Sequence, residues 1–319
     1  MTSDLQDELI TKIMILNEVV WEHRFAQPDI LDWQSNFRGH VLDAEQERLH
    51  ALYLLTHLTY FGLREIRELL RCMFRDFVRA PILRELKAAH PQLLSRQQFE
   101  PLLQDEISHT RFIGMGNPAE SGTHLLYYFR QEAGLKKDLF VHAHQLYDGD
   151  ASDTATRFQD PDLRRIVFID DVCGSGNQSI EYSRSLLPRI RAVASRCAMQ
   201  VEISYLVLLG SRSGIARARQ ESAFDTVECV SEMDPTFATY SDQSRVFAAP
   251  PPGVSKDDSL RVALHYGRTL EPSAPLGYGN GQLLLAFHHN VPDNTLPIIW
   301  AEGGAYRWTA LMKRLAKIY

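Results

Sequence analysis

Ile166-Val-Phe-Ile-Asp-Asp-Val-Cys-Gly-Ser-Gly-Asn-Gln-Ser179 decides how the rest of this chain is read. Four consecutive apolar residues predict a central strand of a parallel sheet, because crossover helices cover both faces and remove the need for polar alternation. Asp170 and Asp171 then stand at the strand's carboxyl end, where open α/β sheets bind their ligands. The loop that follows, Val172, Cys173, Gly174, Ser175, Gly176, Asn177 and Gln178, opens a helix and offers backbone N–H groups to an anion. Gly174 and Gly176 let the backbone approach such a ligand closely.

Three general sites share parts of this pattern. A nucleotide hydrolase ends a strand in Asp-Asp to hold magnesium, but it also needs Gly-x-x-x-x-Gly-Lys-Ser/Thr, and the sequence contains none. A dinucleotide fold places its glycines straight after the strand and its acid later; here the acids come first. A plain strand-to-helix turn explains glycine and serine but gives no reason for adjacent carboxylates.

The segment resembles the ribose-phosphate motif of the phosphoribosyltransferases, in which an apolar strand ends in two acids followed by a small-residue and hydroxyl loop. The resemblance implies that Asp170 and Asp171 take the ribose hydroxyls of phosphoribosyl pyrophosphate and are the catalytic carboxylates. Cys173 to Gln178 would wrap the 5′-phosphate, with Ser175 as a hydroxyl donor. Asn177 and Gln178 depart from the usual ending of that loop, a small residue and then a hydroxyl. A closer similarity is to a divergent phosphoribosyltransferase-like family of bacterial conflict and phage-defence systems, which has a Gly-Ser-Gly-Asn type loop. Phe287-His-His-Asn-Val-Pro-Asp-Asn-Thr-Leu-Pro-Ile-Ile-Trp300 looks like that family's Asn-x-Pro-x-Asn-Thr-Leu-Pro element. Asp293, Asn294 and Thr295 would either shape the site or form a structural turn held by Pro292 and Pro297.

What the resemblance implies is an α/β, phosphoribosyltransferase-like (type I), mostly parallel sheet flanked by helices, preceded by a helical domain. Mg2+ would arrive with the ligand rather than on protein ligands of its own. The chemistry would be displacement of pyrophosphate at C1 by a nitrogen nucleophile, its reverse, or hydrolysis of a nucleotide's glycosidic bond. A toxic effector of a defence system and a non-catalytic nucleotide-sensing or partner-binding module both remain open, as does self-association.

The pattern outside the motif is consistent with that architecture. Residues 1–100 carry apolar residues at helical spacing in 5–20, 46–61 and 63–88, with Ser95 or Gln97 opening a further helix. From about residue 110, short apolar runs alternate with helical stretches, at Arg111 to Met115, Leu139 to Ala143, Arg165 to Ile169, Val201 to Leu209 and Thr226 to Val230. We therefore expect a helical domain over 1–100 and an α/β domain over 101–319. His142 and His144 would share one side of the second strand as packing residues, because no third metal ligand is evident.

Several further positions belong to the same sheet edge. The loop after the first strand leads into a helix from about Thr123, which makes Ser121 and Gly122 pyrophosphate-loop candidates or a simple helix cap. Arg212 follows the strand after the motif and would face pyrophosphate or solvent. The polar stretch Tyr147 to Asp160 lies where the family has a mobile lid, and would be that lid or a solvated surface loop. Arg64, Arg67, Arg71, Arg75 and Arg79 fall within an arc of roughly 120° on a helix, either a salt-bridged face or a dock for nucleic acid or an acidic protein.

Composition limits the alternatives. The net charge of −6 over 319 residues supplies no global attraction for nucleic acid. An acidic amino terminus and the lack of an apolar run of about 18 residues predict a cytoplasmic chain with no membrane segment. Cys72, Cys173, Cys197 and Cys229 are spaced too widely for paired zinc knuckles. Cys173 lies at a helix start, but its two carboxylate neighbours oppose thiolate formation, so no nucleophilic role is expected.

Overall fold

The computed structural model describes residues 2–93, 95–116, 121–149, 155–304 and 307–314. Helices α1 (Thr2–Val19), α2 (Gln27–Gln34) and α3 (Ala44–Leu55) lead to strand β1 (Thr59–Phe61). Helix α4 (Leu63–Met73), a π-helical turn (Phe74–Arg79), α5 (Ala80–Ala89) and α6 (Arg96–Ser108) follow. Next come β2 (Thr110–Gly114), α7 (Ser121–Ala133) and the hairpin strands β3 (Tyr147–Asp148) and β4 (Arg157–Phe158). The motif segment forms β5 (Arg165–Cys173) and opens α8 (Asn177–Arg196); β6 (Glu202–Ser211), α9 (Arg212–Glu221) and β7 (Thr226–Met233) continue the α/β rhythm. Helix α10 (Lys256–Leu270), β8 (Leu285–Phe287) and α11 (Pro297–Trp300) lie beyond them.

The chain forms two compact units, one made of Met1–Arg64 and Met233–Tyr319, the other of Glu65–Glu232. The division expected near residue 100 follows the change in composition. The compact units instead follow tertiary packing, and α5 and α6 belong with the parallel sheet.

In the second unit the sheet order is β2-β5-β6-β7. Strand β5 is central and parallel to both neighbours, with Phe112 opposite Val167 and Phe168 opposite Tyr205. Ile166 to Ile169 are all buried, as a strand covered on both faces requires. On one face Ile166, Phe168 and Tyr205 pack with Leu187, Ile190 and Val193 of α8 and Ile215 and Ala218 of α9. On the other, Phe112 meets Phe129 of α7 at a ring-centroid separation of 5.3 Å. The parallel strands β2, β5 and β6 point their carboxyl ends toward the loops that open α7, α8 and α9.

The first unit has its own core, in which Phe37 contacts Trp33, Tyr266 and Trp308 edge to face at 5.0 to 5.3 Å. Glu47 is fully buried beside them. It accepts hydrogen bonds from the N–H groups of Gly39 and Val41, both at 2.7 Å, and from the Tyr266 hydroxyl at 2.6 Å. Such a carboxylate is stable inside a protein because its acceptor sites are filled.

Three sequence expectations change. Residues 1–100 are not wholly helical, since Thr59–Phe61 pairs in parallel with Leu285–Phe287. A β-branched residue and two aromatics favour that strand, but its partner lies more than 200 residues away in the sequence. Leu139 to Ala143 is not a full strand: 3-10 turns at Lys137–Leu139 and Ala143–Leu146 flank a single bridge from Phe140 to Phe112. His142 and His144 are accordingly exposed and stacked on each other at 5.6 Å, not packed in a core. In the expected lid, Tyr147 and Asp148 pair with Phe158 and Arg157 as a short hairpin. Asp150, Ser152 and Asp153 lie outside the described residues.

Replacing Glu47 by alanine leaves three backbone donors, Gly39, Val41 and Leu42, and a buried tyrosine hydroxyl without their acceptor. We expect a loss of about 2–4 kcal/mol, read as a lower urea midpoint at unchanged m-value.

Candidate functional site

Pairing between β2 and β5 ends at Ile169, whose carbonyl accepts the Met115 N–H at 2.8 Å. Strand β5 runs on beside β6 to Cys173, so the two acids stand on the stretch that extends past β2. Both are buried, Asp170 at 6% and Asp171 at 7% exposure. Asp170 Oδ2 accepts the Tyr205 hydroxyl at 3.0 Å, and its Oδ1 accepts the Asp171 N–H at 3.0 Å. Asp171 Oδ1 accepts the Val172 N–H at 2.8 Å.

The electrostatics follow from this crowding. Burial, and then the neighbouring Asp171 charge, push the Asp170 carboxyl well above the usual carboxylate range. Burial and the same acidic neighbourhood raise the Tyr205 phenol, so it stays a hydroxyl donor. Burial also pushes the Cys173 thiol up to about 12, with Asp170 adding to the effect. A protonated, buried thiol cannot serve as a nucleophile at neutral pH, in line with the sequence reading.

The loop from Gly174 to Gly176 is held by the start of α9. The Ser211 hydroxyl donates to the Gly174 carbonyl at 2.5 Å and accepts the Gly214 N–H at 2.9 Å, so one side chain caps α9 and fixes the loop. Gly214 is needed for this contact, because a Cβ there would lie 2.1 Å from the Gly174 oxygen. Gly176 has φ +80°, and a Cβ on it would meet the Gly214 carbonyl at 2.8 Å. Arg217 of α9 donates to the Ser175 carbonyl and to Asn177 Oδ1, each at 2.9 Å. Asn177, which with Gln178 departs from the usual loop pattern, is thus an anchoring point for Arg217. Helix α8 begins here with no side-chain cap from its N-cap residue Gly176, and the Asn177 N–H donates to the Ser175 hydroxyl at 3.4 Å.

The other candidates are distributed as follows. Ser121 and Gly122 open α7 at the same sheet edge; residues 117–120 and the side chains of 121–124 lie outside the described set. Arg212 is the first residue of α9 and is exposed. The arginine stripe is divided by the π-helical turn, which changes the phase between Arg71 and Arg79. Arg67 and Arg71 pair with Glu132, Arg71 also with Glu68, Arg75 with Asp76 and Arg79 with Glu100. Arg64 belongs to the other compact unit. Thr295 and Asn294 serve the architecture of that unit: the Thr295 N–H closes a turn on the Pro292 carbonyl, and its hydroxyl donates to the Leu285 carbonyl at 2.6 Å.

Sequence reasoning missed Tyr205, Ser211 and Arg217. Ser211 followed by Arg-Ser-Gly214 at a strand end carried a readable cap signal; Tyr205 and Arg217 carried none, because their partners are set by the sheet register.

Two features at the opposite, amino ends of the strands could be mistaken for a site. His109, Asp160 and Asp162 bring potential metal-binding atoms within 4.8 Å of one another. Arg111, however, already donates to Asp160 Oδ2 at 2.9 Å and supplies the positive charge there. Nearby, a cavity of about 700 Å³ is lined by Arg164, Arg165, Arg191, Glu106, Glu202 and Asp225 among others. Its arginines are ion-paired within that lining, Arg164 and Arg165 with Glu106 and Arg191 with Asp225.

Comparison with known proteins places the chain in context. A family model described as PRTase-CE matches residues 30–314. No curated protein matches the chain. Among solved structures, orotate phosphoribosyltransferase from Aeropyrum pernix is 18% identical, with 40% of this chain and 62% of that chain covered and a TM-score of 0.24. A mutant hypoxanthine phosphoribosyltransferase from Trypanosoma cruzi, complexed with the product IMP, is 12% identical over 56% of this chain and 78% of that one, with a TM-score of 0.27. The AQ2163 protein from Aquifex aeolicus is 9% identical, covering 65% and 83% respectively at a TM-score of 0.28. No helix among the described residues is long and apolar enough to cross a membrane.

Two outcomes follow from the geometry. The raised Asp170 pKa means that the folded chain keeps a proton the unfolded chain has released. Its contribution is therefore full below the ordinary carboxylate range and is lost as pH rises toward the raised value. Asp170→Asn is permanently neutral, so the melting temperature of the variant minus that of the wild type should grow between pH 5 and pH 8; a gap that stays constant would contradict the raised pKa. Gly214→Ala should displace the Gly174 carbonyl and lower stability by about 1–3 kcal/mol, read as a lower urea midpoint.

Proposed function

We propose that this chain, which belongs to the PRTase-CE family of phosphoribosyltransferases of conflict systems, binds phosphoribosyl pyrophosphate or a related ribose 5-phosphate nucleotide at the carboxyl edge of its parallel sheet. The observation that carries the reading is the pair of buried, adjacent carboxylates followed at once by a glycine loop at a helix amino terminus. Carboxylates suit ribose because they only accept hydrogen bonds and sugar hydroxyls donate them. Loop N–H groups and the start of α8 suit the 5′-phosphate, the helix dipole alone contributing about 0.3 to 1 kcal/mol.

The remaining parts of the ligand fall to neighbouring loops. Ser121 and Gly122, opening α7, and Arg212, opening α9, are the pyrophosphate-side candidates. The oxygen-only pair Asp170 and Asp171 suits a hard cation, and Mg2+ would come bound to the ligand's pyrophosphate. There it would neutralise charge on the leaving group. The protein's own work is to hold the ribose so that C1 faces a nitrogen nucleophile, and to exclude water while an oxocarbenium-like transition state forms. In a conflict system such a reaction, run on a shared nucleotide pool, suits an effector.

A partner-binding role for the arginine stripe gains nothing from its surroundings, since Arg67, Arg71, Arg75 and Arg79 already face Glu68, Asp76, Glu100 and Glu132. The functional reading is tested by calorimetric titration with phosphoribosyl pyrophosphate and Mg2+. The wild type should bind and the combined Asp170→Asn, Asp171→Asn variant should not. Equal heats from both proteins would sink the reading.

A further inference from the structure

We propose that Arg217 of α9 is a positioning residue that aims Ser175 at the sugar phosphate, through its hold on the Ser175 carbonyl and on the Asn177 side chain. The assignment rests on the ribose-phosphate reading above and deepens it by naming, outside the motif, a residue on which the phosphate half of the site depends.

Ser175 stands between Gly174 and Gly176, and glycine has the widest backbone freedom of any residue. A serine so placed has no fixed direction unless something outside the loop supplies one. Helix α9 and its cap do so on both sides. The Ser211 hydroxyl donates to the Gly174 carbonyl at 2.5 Å, and Arg217 Nη1 donates to the Ser175 carbonyl at 2.9 Å. Each peptide unit is a rigid plane, so a held carbonyl holds its whole plane. Ser211 pins the plane before Ser175, and Arg217 pins the plane after it. With both planes set, φ and ψ of Ser175 are set, and with them the direction of its N–H and of the bond that carries its hydroxyl. Among the described residues nothing accepts the Ser175 N–H, so this donor is left for a ligand.

The arginine fork matches this task. A guanidinium carries five N–H donors in one plane. Nε and Nη2 of Arg217 go to the Glu221 carboxylate at 3.0 and 3.4 Å, an i,i+4 pair along α9. That pair fixes the plane of the group. Nη1 is left to bridge the Ser175 carbonyl and Asn177 Oδ1, each at 2.9 Å and lying 42 and 40 residues earlier in the chain. A surface ion pair needs only the contacts to Glu221; the bridge to the loop is additional. Lysine has a single ammonium on a flexible stem and offers no such plane. Asn177 opens α8, so its side chain ties the start of that helix to the same Nη1 that holds Ser175. The loop that this one resembles has a small residue and then a hydroxyl at its end. A small residue there has no side-chain oxygen for Arg217, so Asn177 gives the loop a second hold on α9.

The test is calorimetric titration of phosphoribosyl pyrophosphate with Mg2+, followed by competition with ribose 5-phosphate and with inorganic pyrophosphate, on variants first shown by circular dichroism to melt cooperatively. Arg217→Met keeps the apolar stem and should weaken phosphoribosyl pyrophosphate and ribose 5-phosphate about tenfold. Pyrophosphate, which lacks the sugar phosphate, should compete as it does in the wild type. Arg217→Gln replaces the methionine variant if that one does not fold. Arg217→Lys keeps the charge but loses the fork, and should fall with Arg217→Met. Asn177→Ala should weaken binding about threefold in the wild-type background and add nothing in the Arg217→Met background, because it acts through Arg217. An unchanged affinity of Arg217→Met for phosphoribosyl pyrophosphate overturns the assignment. So does an equal weakening of both competitors, the mark of a general loosening of the fold, and so does full binding by Arg217→Lys. A wild type that binds no phosphoribosyl pyrophosphate overturns the functional reading and this assignment with it; the wild-type titration separates that case from the others.

Discussion

The structure of the site is governed by the burial of two neighbouring carboxylates at the end of β5. Each loses hydration, and each raises the energy of the other's charged form, so an isolated pair of this kind would not persist in a sheet core. The fold offsets the penalty locally. Tyr205 reaches across from β6 to donate to Asp170, and two successive backbone N–H groups turn toward the acids. The offset is incomplete, since Asp170 holds its proton well above the ordinary range. A ligand that donates hydroxyl hydrogen bonds would recover part of that free energy, and perturbed groups of this kind gather at binding sites.

Around those acids the loop is built before any ligand is present. The Gly174 carbonyl approaches Gly214 so closely that residue 214 has no room for a Cβ, and Ser211 locks the contact from both sides. Arg217 then grips Ser175 and Asn177, while its own charge is shared with Glu221 at 3.0 Å. Two carbonyls of the loop are held by side chains of α9 and its cap. Ordering entropy is thus met during folding instead of during binding.

Much of this architecture was legible in the sequence because it depends on local pattern. Strand β5, its acids, the glycine loop and the start of α8 occupy one uninterrupted segment, and their residues state their geometry directly. The helices at 5–20 and 63–88 were legible for the same reason, through periodicity. What escaped depended on partners distant in sequence. Thr59–Phe61 becomes a strand only because Leu285–Phe287 lies beside it, and Tyr205 becomes part of the site only through its register opposite Phe168. The π-helical turn at Phe74–Arg79 likewise breaks a stripe of arginines that simple helical geometry would have aligned. Leu139 to Ala143 misled because an apolar run with one bridge to β2 has strand composition without strand pairing.

Charge places a further constraint on how such a site can work. A chain of net charge −6 sets two carboxylates beside the loop proposed to hold a phosphate, and like charges at close range repel strongly where water is excluded. Helix dipoles answer only part of that repulsion, because their effect fades within the first turn. Arg217, the guanidinium that touches the loop, is already divided between loop carbonyl, Asn177 and Glu221. An anionic sugar phosphate can therefore settle next to Asp170 and Asp171 only if it brings positive charge with it, or if one acid stays protonated. The raised pKa of Asp170 makes the second route available, and Mg2+ carried on the ligand's pyrophosphate would supply the first.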